Sequence, residues 1–309
     1  MINRQLGGMI FQLFSRINTN RNIRLHLVED LMDNRLNTPF VRTIFDINSG
    51  KRSSDIIYIH ESFMSFLWAY IWAIWVIVEE GILLPARNNN SIFQGPINLQ
   101  STNNLRTADS LLRYCSSLNG NYSELESNAL PNPLDSRDYV ANVNGLFLYA
   151  IIGIIYHEIG HVILNHTGST PNNEREADDF ASIRLSQLIQ NDFPTMTEDE
   201  RSRFLTLSHI LPLTSFLILR SSIVDGNTHP NLNTRIDWAI QRVRTIESVI
   251  IEEVSGLTVA LGFNMFFINN SYTLPIEFIR NDGGVLTIDQ LINILLDHVA
   301  NQLRATEVN

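Results

Sequence analysis

His157-Glu158-Ile159-Gly160-His161 sets two imidazoles four residues apart with a carboxylate beside the first. On a helix, positions i and i+4 lie on one side, so both rings can reach a single metal ion. Glu158 is one step round, where its carboxylate meets a water at the metal's open position and not the metal itself. That pattern suits metal-assisted hydrolysis with a carboxylate as general base. A second group follows in Asn173-Glu174-Arg175-Glu176-Ala177-Asp178-Asp179-Phe180-Ala181. In helical form Glu174, Ala177, Asp178 and Ala181 share one face, while Glu176 points roughly the other way. The small alanines let that face approach the first helix closely. Glu174 then completes a donor set of two His and one Glu for Zn2+, with Glu176 next in line. Asp178, one turn on, is placed to accept the free N–H of a ligand histidine. The competing reading is a solvated acidic helix start, favoured by the dipole.

HEIGH followed by Glu174-Arg-Glu-Ala-Asp178 resembles the gluzincin metallopeptidases, whose third ligand is the Glu of E-x-x-x-D. Thr228-His229-Pro230 with Arg235-Ile236 resembles the His-Pro…Arg-Ile segment downstream of the site in membrane and periplasmic gluzincins. The chain length, the DIIYIHESFMSFLWA stretch from Asp55 and the His229-Pro230 segment are similar to the phage-exclusion peptidases of the Lit type. The resemblance implies a bacterial intracellular zinc endopeptidase acting on a protein substrate. It also implies an oxyanion role for His229, with Arg235 assisting or holding that segment. A turn histidine and a structural ion pair are the plainer readings of these two. In metzincins a third His stands six residues after the second. Here His166 stands five after His161, which makes it a helix-end histidine favoured by the dipole, not a ligand.

Other reactive residue types carry less. His60-Glu61 sits at a strand–helix join and suits a cap or a core role. Glu79 and Glu80 read as the solvated end of an apolar helix, and His209, inside the apolar run Phe204–Leu219, as a satisfied core histidine. Cys115, the sole cysteine, excludes an internal disulfide and has no basic neighbour to make it reactive. No phosphate loop, dinucleotide fingerprint or nucleophile elbow is present. Asn121 and Asn269 head N-x-[ST] triplets that carry little weight in so Asn-rich a chain.

The elements that must position these residues are mostly helical. Asn144–Asn165 reads as one helix with Gly168 at its C-terminal stop. Pro171 opens the next at its first turn, running to about Gln190. Thr197-Glu-Asp-Glu200 is a capping box for a third. A helix of about Thr234–Glu253 follows, and Asn281–Gly284 is a turn before a last amphipathic helix capped at Thr287. Upstream, Asp55–His60 reads as a short strand leading into a helix of about Glu61–Glu80, which stops at Gly81 and Pro85. Thr107–Leu118 suits a short helix, Arg87–Asn104 and Ser123–Arg137 suit loops, and the first forty residues suggest no element. The expected fold is mainly α, α+β with a small sheet: a zincin-like arrangement with the HExxH helix packed against the ExxxD helix. Residues 1–135 form an N-terminal region and 136–309 the catalytic domain, or the two make one continuous domain.

Composition bounds the rest. The chain has 309 residues, of which 17% are charged and 44% hydrophobic; soluble proteins carry nearer 25% charge. A net charge of −10 argues against nucleic acid as a partner, which would need clustered basic surface. Ser62–Val78 has 17 consecutive uncharged residues and three of the four tryptophans. Spanning a membrane takes about 20, so this run is either a core helix or a peripheral membrane element. The expectation is a cytoplasmic protein with a protein or peptide substrate and restraint by an activating peptide or protein. A zincin-like sensing protein and a membrane-associated gluzincin in quality control are the alternatives.

Overall fold

The computed structural model describes residues 2–18, 22–29, 39–45, 52–89, 97–117, 131, 133, 139–168, 170–219, 232–247, 294, 297 and 301. The chain divides into two compact units, Met1–His166 and Thr167–Asn309. The fold is mainly helical with a small three-stranded sheet, as the residue pattern implies.

The first unit contains α1 (Ile2–Ile17), β1 (Ile23–Val28), β2 (Phe40–Phe45), β3 (Arg52–His60), α2 (Glu61–Val78), α3 (Leu84–Asn89), α4 (Asn103–Ser117) and α5 (Val140–Ile163). Two of these, α1 and β1, fall where the sequence suggests no element. Helix α1 buries a narrow stripe, Leu6, Ile10 and Phe14, spaced four apart and diluted by Gly, Arg and Asn. The sheet has the order β1-β3-β2, with β1 parallel and β2 antiparallel to β3. Strand alternation sends Ile57 and Ile59 into the core, while on the opposite face Tyr58 stacks on Phe40. Asp55 lies on the buried face, where Thr43 Oγ1 donates to its carboxylate at 2.8 Å.

Helix α2 is the core of this unit. Every residue of Ser62–Val78 except Trp75 is buried. A helix apolar all round must be enclosed by something, and here sheet, α1, α4 and α5 pack against it. Each fully buried aromatic or aliphatic side chain contributes roughly 1.5–3 kcal/mol. Trp68 Nε1 donates to Asn144 Oδ1 at 2.8 Å, and Asn144 Nδ2 donates in turn to the Pro133 carbonyl at 2.8 Å. The first bond ties α5 to α2, and together they satisfy the Trp68 indole and the Asn144 amide. By length and composition Glu61–Gly81 and Val140–Ile163 could each cross a membrane, yet 89% and 72% of their apolar windows are buried within the protein.

The end of α2 differs from the sequence reading. The backbone passes at Glu79 into a π-helical turn, Glu79–Leu83, and then into α3, so neither Gly81 nor Pro85 is a stop. Gly81 is there because a Cβ would stand 2.7 Å from Ile97 Cγ2. Glu79 pairs with Arg87 at 3.0 Å. Glu80 accepts from Thr102 Oγ1 and Asn104 Nδ2 and so fastens the start of α4. The two carboxylates thus join elements and are not merely a solvated helix end.

The second unit contains α6 (Pro171–Asp192), α7 (Glu198–Leu219) and α8 (Leu232–Glu247), which pack on one another. Pro171 occupies the first turn of α6, and Thr170 Oγ1 caps it by accepting from Asn173 N–H at 3.2 Å. The capping box of α7 forms reciprocally: Glu200 N–H donates to Thr197 Oγ1, and Thr197 N–H to Glu200 Oε2 at 2.9 Å. Pro212 lies inside α7 without ending it. The part of the Thr234–Glu253 expectation beyond Glu247 lies outside the described residues, as does the Asn281–Gly284 turn. Of the last predicted helix, only Ile294, Asp297 and Asn301 are described, all helical.

Candidate metal centre

The HEIGH motif occupies the last two turns of α5. The helix reaches that point through Leu146–Tyr156, buried except at Ile154, so the motif is carried on a stiff, enclosed rod. Spacing of four brings the two rings over one another, with centroids 4.7 Å apart and planes at 80°. Their Nε2 atoms converge to 3.0 Å. Two nitrogens held at about 2.05 Å from one tetrahedral ion stand roughly 3.3 Å apart. The pair therefore fits a shared zinc with a small opening movement. Both histidines and Glu158 are half-buried.

The end of α5 shapes the other side of His161. Gly168 does not supply the helix stop. Asn165 does, at φ +56°, a left-handed conformation that Asn tolerates better than most residues. Asn165 N–H donates to the Val162 carbonyl at 3.3 Å and His166 N–H to the His161 carbonyl at 3.0 Å. This paired reversal is a Schellman motif, and it folds residue 166 back beside residue 161. The Nδ1 atoms of His161 and His166 are then 2.9 Å apart, with ring planes at 73°. His166 is a helix-end histidine as expected, but its ring is spent on His161 and not on solvent. The signal was available in the sequence: Asn followed by His, four and five residues after His161.

In the second unit, α6 sorts its carboxylates as its periodicity implies. Glu174 is 2% exposed, Ala177 and Ala181 are buried, and Glu176 is exposed. Asp178 is held by a two-pronged ion pair: Arg235 Nε donates to Oδ2 at 3.1 Å and Nη2 to Oδ1 at 2.8 Å. The matched fork geometry of guanidinium and carboxylate makes this a strong, directional contact. Arg235 thus braces α8 against α6. Two further contacts join these helices: Arg242 pairs with Asp179 at 3.3 Å, and the Arg175 guanidinium lies 5.2 Å over the Trp238 ring. His209 of α7 is half-buried, and its Nε2 is shielded from solvent with no hydrogen-bond partner among the described residues. Burial pushes its pKa down to about 4, and the nearby Asp178 charge partly opposes that fall.

His229, given an oxyanion role by resemblance, lies outside the described residues. His60 forms the N-cap of α2 without a side-chain cap bond, and its ring sits 6.0 Å from that of Phe40. Cys115 is buried, and burial drives its thiol pKa up, so it stays protonated and inert.

Converging imidazoles on an enclosed HExxH helix offer two donors to one metal ion. Comparison with known proteins defines the class as peptidase: residues 57–255 match the family Peptidase U49, and the chain belongs to that family. It is similar to the "Cell death peptidase" of Escherichia coli (strain K12), with 26% identity over 197 residues, covering 61% of this chain and 63% of that protein. No solved structure matches.

Proposed function

We propose that this chain is a zinc-dependent endopeptidase, cutting peptide bonds of an intracellular protein, in the setting of phage exclusion or a related bacterial defence. The observation that carries the reading is the convergence of His157 and His161 Nε2 at 3.0 Å on an enclosed HExxH helix. Membership of Peptidase U49 and the likeness to the Escherichia coli peptidase support a peptidase; the metal and the substrate are this proposal's own.

In this reading His157, His161 and Glu174 hold the zinc, since two imidazoles and one carboxylate are a donor set that zinc takes. Bound there, zinc would supply a Lewis acid that polarises the scissile carbonyl and acidifies the attacking water. Glu158 takes the proton from that water and delivers it to the leaving amine nitrogen. His229 donates to the carbonyl oxygen as negative charge develops on it. Asp178 and Arg235 fix the helix that carries Glu174, because their paired bonds lie one turn below it.

The proposed location is cytoplasmic, and the burial of α2 within the protein favours a core role for Ser62–Val78 over a membrane element. Partition of the expressed protein into washed membranes would reverse that view. The function is tested by metal analysis together with proteome-wide mapping of new protein termini after expression of wild type beside Glu158→Gln. One zinc per chain in both, with cleavage in wild type alone, is the expected result. Undiminished cleavage by Glu158→Gln, or a wild type without zinc, refutes it.

A further inference from the structure

We propose that His166 is the positioning residue of His161: its Nδ1 accepts the Nδ1–H of His161, which leaves the His161 Nε2 lone pair free for the metal. The inference rests on the zinc reading above and goes one step past it.

The argument starts from which nitrogen can do what. His161 Nε2 faces His157 Nε2 at 3.0 Å, on the side where the HExxH pattern gathers its ligands. A ligating nitrogen must be unprotonated, so the single proton of a neutral His161 has to sit on Nδ1. That Nδ1 stands 2.9 Å from His166 Nδ1, a hydrogen-bond distance. Two Nδ1 atoms this close require one donor and one acceptor. With His161 donating, His166 is the tautomer protonated on Nε2, its lone pair directed at His161. An imidazole whose other nitrogen is so engaged is fixed in rotation and made a better ligand.

The backbone makes the arrangement specific. Asn165 at φ +56° reverses the chain, and His166 N–H bonds the carbonyl of His161 itself. Residue 166 is thereby tethered to residue 161 twice, once through the main chain and once through the ring. The main-chain tether persists whatever side chain stands at 166, so the side chain's contribution can be measured separately.

The experiment compares zinc affinity, by competition with a chromophoric chelator, in the full chain and in His166→Phe, His166→Asn, His166→Ala and His161→Ala. Phe keeps a ring but has no acceptor; the Asn carbonyl oxygen stands where Nδ1 was and restores one. The expected result is about a 10- to 100-fold loss of zinc affinity in His166→Phe, the range typical of such outer partners. His166→Asn should recover most of that loss, and metal-free melting temperatures should agree across the series. Should His166→Phe fold poorly, Asn against Ala carries the same comparison. Wild-type affinity in His166→Phe, or an Asn variant as weak as Phe or Ala, overturns the inference while zinc loss in His161→Ala upholds the reading beneath it. A wild type that binds no zinc overturns both.

Discussion

His209 offers a way to weigh one buried group against pH. The residue is half-buried with its Nε2 shielded from solvent, and its pKa falls from 6.5 to about 4, chiefly through burial, with Asp178 opposing. A histidine with a depressed folded-state pKa binds its proton more readily once unfolded. Its contribution to stability is therefore complete above pH 6.5 and is lost as the pH falls from 6.5 towards 4. A shift of that size amounts to about 3 kcal/mol when fully expressed, and to about 2 kcal/mol by pH 5. The perturbation is His209→Leu, which keeps the volume roughly constant and removes the unpartnered Nε2. The assay is urea unfolding of the metal-free chain at pH 7.5 and pH 5. Wild type should lose about 2 kcal/mol more than His209→Leu between the two. Other histidines titrate equally in both proteins and cancel in the difference. Equal losses would mean that His209 reaches water or a partner in the folded state, and the burial argument would fail.

Three other substitutions test separate parts of the structure. Glu158→Gln should lower kcat by at least about 10²-fold with zinc retained, because the amide keeps the shape and abolishes the base; turnover near wild type would exclude Glu158 from proton transfer. Arg235→Ala should cost about 2 kcal/mol in the metal-free protein, between the worth of surface and buried pairs, since the two side chains are 17% and 26% exposed. Arg235→Lys should recover only part of it, as a single ammonium cannot reproduce both bonds; full recovery would reduce the contact to simple charge. Asn165→Ala should cost about 1 kcal/mol, the strain of a left-handed alanine, while Asn165→Gly should be neutral or better; equal melting temperatures would show that the reversal carries no strain.

Helix ends with side-chain signals were legible, and elements defined by tertiary enclosure were less so. Thr170 with Pro171 and Thr197 with Glu200 form the caps their residue types imply, because those bonds are local. Helix α1 was not legible, because Met9 and Phe11 are as apolar as the buried Leu6, Ile10 and Phe14 yet lie exposed, so the buried stripe stands out only when a core is there to receive it. Strand β2 was missed for a similar reason: it lies at an edge of the sheet, paired to β3 alone, so half its pattern faces outward. Gly81 misled because glycine has two uses near a helix end. It can stop the helix by taking a left-handed conformation, or it can admit a neighbour, and Ile97 shows that the second applies.

The same distinction applies to the proposed metal centre. The i, i+4 spacing of His157 and His161 and the burial of Glu174 against the exposure of Glu176 follow from helical periodicity, which sequence displays directly. The partner of His161 Nδ1 follows from how the helix stops. His166 stands five residues after His161, not the six that a third histidine ligand would need. A Schellman stop decides instead which residue the chain returns to. With left-handed Asn165 at the first position beyond the helix cap, the next residue bonds the carbonyl five back, which is that of His161. A spacing of five that is wrong for a third ligand is right for a residue that orients the second. Histidine at that place, and not merely any residue after the stop, is what gives the reversal a chemical use.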